Sequence, residues 1–329
     1  MWCLRYPQSL KTRIGPDGCV ATIGAYDGIH IGHQALLSRT RKLADQLGLP
    51  AVVMSFEPLP KEFFLKDSAP ARITRFAERA RLLRSAGMDG FFCVRFDERL
   101  SGITPDDFIR VYLHEGLNVR HLVIGDDFRF GHRASGGVAE LLAAGERDGF
   151  VVTQLGSIDC GELRASSTRV RAVLAKGDLR AAGALLGRPF MLSGRVVHGQ
   201  QLGRTLGFPT ANIRLKRRVS PVSGVFAVRV AGIADAPMPG VASIGTRPTV
   251  NGAGVLLEVF VFDFNGDLYG KMLDVELVAK LRDEEKFDSL DEMTVQMHRD
   301  LANARELLIG GSLASGLPSR GDDTSAQVD

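Results

Sequence analysis

Residues 24–33, Gly-Ala-Tyr-Asp-Gly-Ile-His-Ile-Gly-His, constrain this chain more than any other stretch. A short run, Val20 to Ile23, leads in, and an apolar stripe at helical spacing (Leu36, Leu37, Leu43, Ala44, Leu47) leads out. The stretch therefore reads as a strand-to-helix turn. Gly24, Gly28 and Gly32 allow the backbone to bend sharply and to approach a ligand closely. Unpaired N–H groups and the positive end of the helix dipole favour phosphate at such a place. His30 and His33, three residues apart at the helix entrance, can share a face and aim two imidazoles at one point. Two ordinary surface histidines beside a glycine bend are the plainer alternative, and the coincidence of glycines, an acid and paired histidines weighs against it.

Downstream, the same order of elements recurs. The helix from about Gln34 ends at Gly48 with Pro50 just beyond, and residues 51–56 read as a buried strand. Strand, helix and strand in so short a span imply a right-handed crossover and a parallel sheet. Further strands are expected at 90–96, 121–124 and 150–155, with helices opening at Thr104, capped ahead of Pro105, and spanning 138–147. The first half is thus predicted to be a doubly wound α/β domain, whose ligands sit beyond the carboxyl ends of the strands. After the helical segment 179–186 the pattern changes to short strands at 190–197, 224–230, 240–244, 256–262 and 273–277, which predicts an antiparallel β-barrel closed by a helix over 287–308. The expected division is residues 1–186, residues 187–310 and a disordered tail over 311–329, rich in Gly, Ser and Asp.

A chain of 329 residues accommodates two such cores. Its 41 basic and 38 acidic residues leave a formal charge of +3, which gives no support to a polyanion-binding surface, so no nucleic-acid partner is expected. Cys3, Cys19, Cys93 and Cys160 are widely spaced and form no zinc or disulfide pattern. No run of about 20 apolar residues occurs. Reduced thiols, a cytoplasmic location and no membrane partner are the expectation; the oligomeric state stays open.

Three other stretches carry chemistry. Ser166-Ser167-Thr168-Arg169-Val170-Arg171 begins a helix, where hydroxyls, N–H groups and Arg171 one turn in can clamp a second phosphate, although capping alone also explains the hydroxyls. Gly125 to Gly131 is an acidic, aromatic loop that follows a strand. The stretch from Gly194 to Asn212 places glycines at 199, 203 and 207, so that N–H groups can face a ligand, and sets Thr210 and Asn212 on one side of an extended segment, suited to a Mg²⁺ that keeps waters and phosphate oxygens. A Gly-rich hairpin explains that stretch about equally well. No P-loop motif is present.

These motifs together resemble those of the bacterial bifunctional riboflavin kinase/FMN adenylyltransferase family. His-x-Gly-His and Ser-Ser-Thr-x-x-Arg are similar to the two signatures of the nucleotidyltransferase superfamily, and Pro209-Thr210-Ala211-Asn212 to the riboflavin kinase hallmark. The segment Ser55-Phe56-Glu57-Pro58-Leu59-Pro60 departs from the family's Thr-Phe-x-Pro-His-Pro, with Leu59 at the usual His. The resemblance implies that riboflavin, FMN and ATP are substrates and that Mg²⁺ is required. It assigns Gly24, Tyr26, Asp27, His30, His33, Ser166, Ser167, Thr168 and Arg171 to ATP in the first domain, and Asp127 and Phe128 to flavin. In the second domain it assigns Gly199, Gly203, Arg204, Gly207, Thr210 and Asn212 to ATP, with Thr210 and Asn212 on the metal, Arg282 and Glu285 to flavin, and Glu258 as the general base. His114, His121, His198 and His298 are expected to be surface histidines. A non-catalytic flavin-binding regulator and another adenylyltransferase of the superfamily are the rival readings.

Overall fold

The computed structural model describes residues 1–5, 11–156, 159–160, 163–199, 208–249 and 252–310. Six parallel strands form the first sheet: β1 (Trp2–Leu4), β2 (Cys19–Ile23), β3 (Ala51–Glu57), β4 (Gly90–Arg95), β5 (Val119–Gly125) and β6 (Val151–Leu155), in the order β1-β4-β3-β2-β5-β6. Both central strands β2 and β3 are buried along almost their whole length, as strands covered on both faces must be. β2 lies between β3 and β5, so the turn after it opens where the strand order reverses. The helix that follows, Ile31–Leu47, starts three residues earlier than its apolar stripe indicates, because the histidine motif itself supplies the first turn. Gly48, in the left-handed region, ends it. The helix expected after Thr104 is capped as predicted, then passes at Ile109 into a π-helical stretch to His114. A short hairpin, β7 (Asp159–Cys160) with β8 (Leu163–Arg164), precedes the helix Ser167–Ala175.

The second half closes into a six-stranded antiparallel barrel from β9 (Met191–Val197), β10 (Ala211–Arg214), β11 (Gly224–Ala231), β12 (Met238–Thr249), β13 (Gly252–Val261) and β14 (Met272–Arg282), in the order β10-β13-β12-β11-β14-β9. Alternation is strict on β13: Val255, Leu257, Val259 and Val261 fill the interior, whereas Phe260 and Phe262 pack outward against the closing helix Leu290–Arg305 through Leu301 and Ala304. That helix is capped by Ser289, whose hydroxyl accepts from the Glu292 N–H, and starts at Leu290, three residues after the expected start at 287. The expected tail at 311–329 lies outside the described residues.

Two features join the halves. The helices Ser167–Ala175 and Leu179–Leu186 contribute Leu174, Leu179, Leu185 and Leu186 to the same apolar cluster as the barrel interior. Polar contacts surround it. Arg217, just after β10 and only 2% exposed, donates to the Glu78 carboxylate (2.7 Å), to the Ile73 carbonyl (3.1 Å) and to the Arg72 carbonyl. Glu78 lies in the first turn of the helix Phe76–Ser85 and also accepts from the Arg75 N–H (2.7 Å) and the Ser193 N–H (3.3 Å), so each of its oxygens has a donor. Arg75 reaches the Leu215 carbonyl (2.9 Å) and the Ser193 carbonyl, and Arg81 pairs with Asp274.

Candidate active sites

A cleft of about 510 Å³ opens at the carboxyl end of β2. It gathers Gly24, Tyr26, Asp27, His30 and His33 from the first motif, Ser166, Ser167, Thr168 and Arg171 from the second, and Asp127 and Phe128 from the loop after β5. The loop after β5 arrives because β2 and β5 are sheet neighbours, and the second motif, more than 130 residues from the first, is held to it through Asp27 by Ser167 and Arg171.

Within this cleft the motif residues divide their work. Asp27, 1% exposed, accepts from the Ile73 N–H (3.0 Å), the Thr74 N–H (2.9 Å) and Arg171 Nη2 (2.5 Å). Its carboxylate ties together the turn, the 73–74 segment and the second signature. The Ser167 hydroxyl donates to the Asp27 carbonyl (2.8 Å), and Ser166 caps its helix by accepting from the Arg169 N–H (3.2 Å). Tyr26 is fully buried with its hydroxyl 2.6 Å from Thr22 Oγ1, and burial pushes its phenol above the usual range. Tyr26 shapes the turn from behind, with its ring 4.9 Å from that of His33.

His30 and His33 stack at 3.7 Å with 22° between their planes. Burial pushes the His30 imidazole down to about 4, and burial together with His30 drives His33 well below its usual value. Both rings are neutral at pH 7 and serve as hydrogen-bonding groups. Their Nδ1 atoms are buried without a hydrogen-bond partner among the described residues, which is costly unless a ligand or water satisfies them.

Leu59, at the departure from the family pattern, is buried and lines the cleft. Its N–H donates to Glu62 (2.8 Å), whose carboxylate also holds Arg72. Sequence reasoning missed Thr74, Arg79 and Arg164. Arg79, 1% exposed, donates to the Ala25 and Phe56 carbonyls and to Glu57; an arginine on the apolar face of a helix was the available signal. Arg164 of β8 lines the cleft and pairs with Asp127 (2.7 Å) and Asp126 (3.3 Å).

A second cleft, about 560 Å³, lies at the barrel mouth among Thr210, Asn212, Val259, Val261 and the 264–269 loop. Asn212 is buried, and its Nδ2 lies 3.5 Å from the Thr210 carbonyl. A Cβ at Gly199 would fall 2.4 Å from the Asn212 side chain, so glycine makes room for that amide. Register sets Asn212 directly opposite Glu258 of β13, which places both side chains on one face of the ladder. Glu258 is half-buried beside the outward Phe260 and is not among the residues lining the second cleft. Gly203, Arg204 and Gly207 lie outside the described residues.

Arg282 and Glu285 fall elsewhere. The Arg282 guanidinium is held by Asp300 of the closing helix (2.9 and 3.0 Å), and Glu285 stands 3.9 Å from it, largely exposed. Asp300 is a partner that sequence reasoning did not find. Of the histidines expected at the surface, His114 is exposed, and His198 and His298 are exposed but packed on Tyr269 and Phe208. His121 departs from the expectation: it is half-buried and hydrogen-bonded to Thr153 (2.7 Å), because β5 and β6 place the two residues near one another.

The FAD synthetase family model matches residues 13–169, and the riboflavin kinase model residues 186–308. A bifunctional riboflavin kinase/FMN adenylyltransferase from Escherichia coli K12 is 50% identical over 88% of this chain and 93% of its own length. Its namesake from Haemophilus influenzae is 45% identical over 88% of this chain and 94% of its own. A crystal structure described as a macrolide-efflux protein from Streptococcus pneumoniae superposes with a TM-score of 0.76 at 33% identity, over 91% of this chain and 97% of that one. With both domain models matched in order and relatives of this identity aligned across both halves, the chain belongs to the bifunctional riboflavin kinase/FMN adenylyltransferase family.

Proposed function

We propose that the barrel transfers the γ-phosphoryl group of ATP to the riboflavin 5′-hydroxyl, and that the first domain then transfers AMP from a second ATP to FMN. In the first step the hydroxyl oxygen bonds to the γ-phosphorus and ADP leaves. In the second an FMN phosphate oxygen bonds to the α-phosphorus and pyrophosphate leaves. Both are in-line displacements, in which positioning and charge neutralisation supply the rate.

In the first domain His30 and His33 donate to the α-phosphate, while the N–H groups and hydroxyls at Ser166 to Thr168 and the guanidinium of Arg171 take the remaining phosphates. Asp27 and Tyr26 hold that geometry and do not themselves bind the nucleotide. Asp127 and Phe128 face the flavin. In the barrel Glu258 removes the riboflavin hydroxyl proton. Thr210 and Asn212, neutral oxygen donors at a polar cleft, fit a Mg²⁺ that arrives with ATP and keeps most of its ligands from water and phosphate. Bound there, the metal would neutralise charge on the transferring phosphoryl group. Arg282 acts as a strut between β14 and the closing helix, and it touches flavin only if Asp300 releases it.

The observation that carries the reading is the meeting of both signatures in one cleft around two stacked, neutral histidines with unsatisfied Nδ1 atoms. The test is His30→Ala or His33→Ala in the full chain. Conversion of FMN to FAD should fall on the order of 10²-fold or more while riboflavin phosphorylation continues. Parental FAD formation by both variants would refute the assignment.

A further inference from the structure

The backbone ahead of His30 is under strain. Ile29 is β-branched yet sits at φ +43°, next to Gly28 at +85°, and a residue such as Ile adopts that region only when its surroundings force it. Hydrogen bonds with three neighbouring side chains hold it. The Gly28 N–H donates to Thr74 Oγ1 (2.9 Å). The Gly28 carbonyl accepts from Arg188 Nη2 (2.5 Å), and the Ile29 carbonyl from Arg188 Nη1 (2.9 Å) and Gln34 Nε2 (2.9 Å). One guanidinium therefore bridges two successive carbonyls of the turn, a geometry that its planar fork supports and an ammonium does not.

Arg188 is not part of the first domain by pattern. It follows Gly187, which ends the helix Leu179–Leu186, and it falls inside the riboflavin kinase match. The junction is seated against the motif helix: Gln34 Nε2 also donates to the Leu186 carbonyl (2.7 Å), as does Arg188 Nη1 (3.0 Å). A Cβ on Gly187 would come within 3.0 Å of the Gln34 side chain. Among the described residues the Arg188 guanidinium meets carbonyls and no carboxylate, and burial pushes it down to about 10. A partly buried cation used only on carbonyls contributes little to stability by itself, which points to a purpose in the site it adjoins.

We propose that Arg188, although it belongs to the kinase half, is a positioning residue for adenylyl transfer: by bridging the Gly28 and Ile29 carbonyls it fixes the backbone from which His30 reaches the α-phosphate. This rests on the role given to His30 above. The consequence is that the adenylyltransferase site is completed by the first residues of the neighbouring module. Loss of the bridge lets the turn relax, and a shift of about 1 Å in a reacting group can cost about 10²-fold in rate.

The experiment measures both activities in one preparation of the full chain carrying Arg188→Ala. FAD formation should drop about 10²-fold in kcat with KM for ATP and FMN changed by less than about threefold, while FMN formation from riboflavin stays within about twofold of the parent. Free guanidinium chloride at non-denaturing concentration should restore part of the FAD-forming kcat in the Ala variant and leave the parent's kinase rate alone. Arg188→Lys, which keeps charge but cannot bridge both carbonyls, should remain at least about tenfold slow in FAD formation. If Arg188→Ala is insoluble, Arg188→Lys with the same pair of assays decides the matter. FAD formation within about threefold of the parent in the soluble variant, or equal loss of both activities, overturns the proposal. A His30→Ala control separates the two readings: if it loses FAD formation while the Arg188 variants do not, only the positioning role fails; if it too stays at the parental rate, the His30 reading fails with it.

Discussion

Replacing Arg217 by alanine tests what holds the halves together. The side chain is 2% exposed and its partner Glu78 is 6% exposed. Removing one member of such a pair leaves a buried carboxylate and costs about 3–5 kcal/mol in comparable cases. Here Glu78 keeps the Arg75 guanidinium (3.1 Å) and the Arg75 and Ser193 N–H donors, which places the cost near the low end, about 3 kcal/mol. The Ile73 and Arg72 carbonyls lose their donors as well. For a chain of this size the unfolding entropy is roughly 0.6 kcal/mol per degree, so the melting temperature should fall by about 5 °C. Differential scanning calorimetry on the parent, Arg217→Ala and the double variant Glu78→Gln with Arg217→Met provides the measurement. The double variant should recover part of the loss, because it removes the carboxylate that Arg217→Ala leaves short of a partner, although it also takes from Arg75 the carboxylate it pairs with (3.1 Å). Melting of Arg217→Ala within about 1 °C of the parent would show that the pair is solvated in practice and the burial argument wrong.

Other expectations follow from the same geometry. Glu258→Gln should lower FMN formation by about 10² to 10⁴ and leave FAD formation from supplied FMN nearly unchanged; retained kinase activity would assign the base elsewhere. His30 binds a proton below about 4 when folded and near its usual 6.5 when unfolded, so the unfolded state takes up more protons between those values, and stability is lost as pH falls through that window. By pH 5 the loss from His30 is on the order of 2 kcal/mol, so the melting temperature should drop less between pH 7 and pH 5 for His30→Asn than for the parent; equal drops would contradict the burial of that ring. A fragment of residues 187–310 should make FMN and no FAD, but melt lower than one that begins at residue 165, since the shorter fragment strips Leu174, Leu179, Leu185 and Leu186 from the barrel's apolar cluster. Equal melting would mean that those leucines contribute little to the barrel.

Much of this architecture was legible because its signals are local. The switch from helical to two-residue periodicity near residue 187 marks where the barrel begins, Thr104 and Ser166 cap helices through their hydroxyls, and Gly48 ends one by its freedom to enter the left-handed region. Strand β1 and the short β10 were not recognised as strands, for three or four residues carry too little pattern. The site was legible as a set of motifs, but the division of labour within it was not. Asp27 stands in the signature and reads as a ligand to nucleotide, yet its oxygens are taken by Ile73, Thr74 and Arg171, contacts that depend on how a loop 46 residues later folds back. Arg282 reads as a flavin contact from its neighbours in sequence, and only the packing of the closing helix reveals Asp300 beside it. Periodicity reports which face is apolar; it cannot report which distant donor meets a given carboxylate.

The polar seam between the halves also bears on how the chain is made. The parallel sheet is complete once β6 has emerged, near residue 155, but barrel closure pairs β9 with β14 and waits for residues beyond 272. At roughly 5–20 residues per second of synthesis, the first domain exists for several seconds or more without its neighbour. Until the barrel closes and docks, Glu78, Arg75 and Arg81 wait for their partners Arg217, Ser193 and Asp274, the last of which is made only after residue 272. A surface carrying these charges stays hydrated while it waits, whereas an apolar face of the same extent would invite association between nascent chains. The ion pairs that are expensive to bury in the finished protein thus keep its unfinished form apart from its copies.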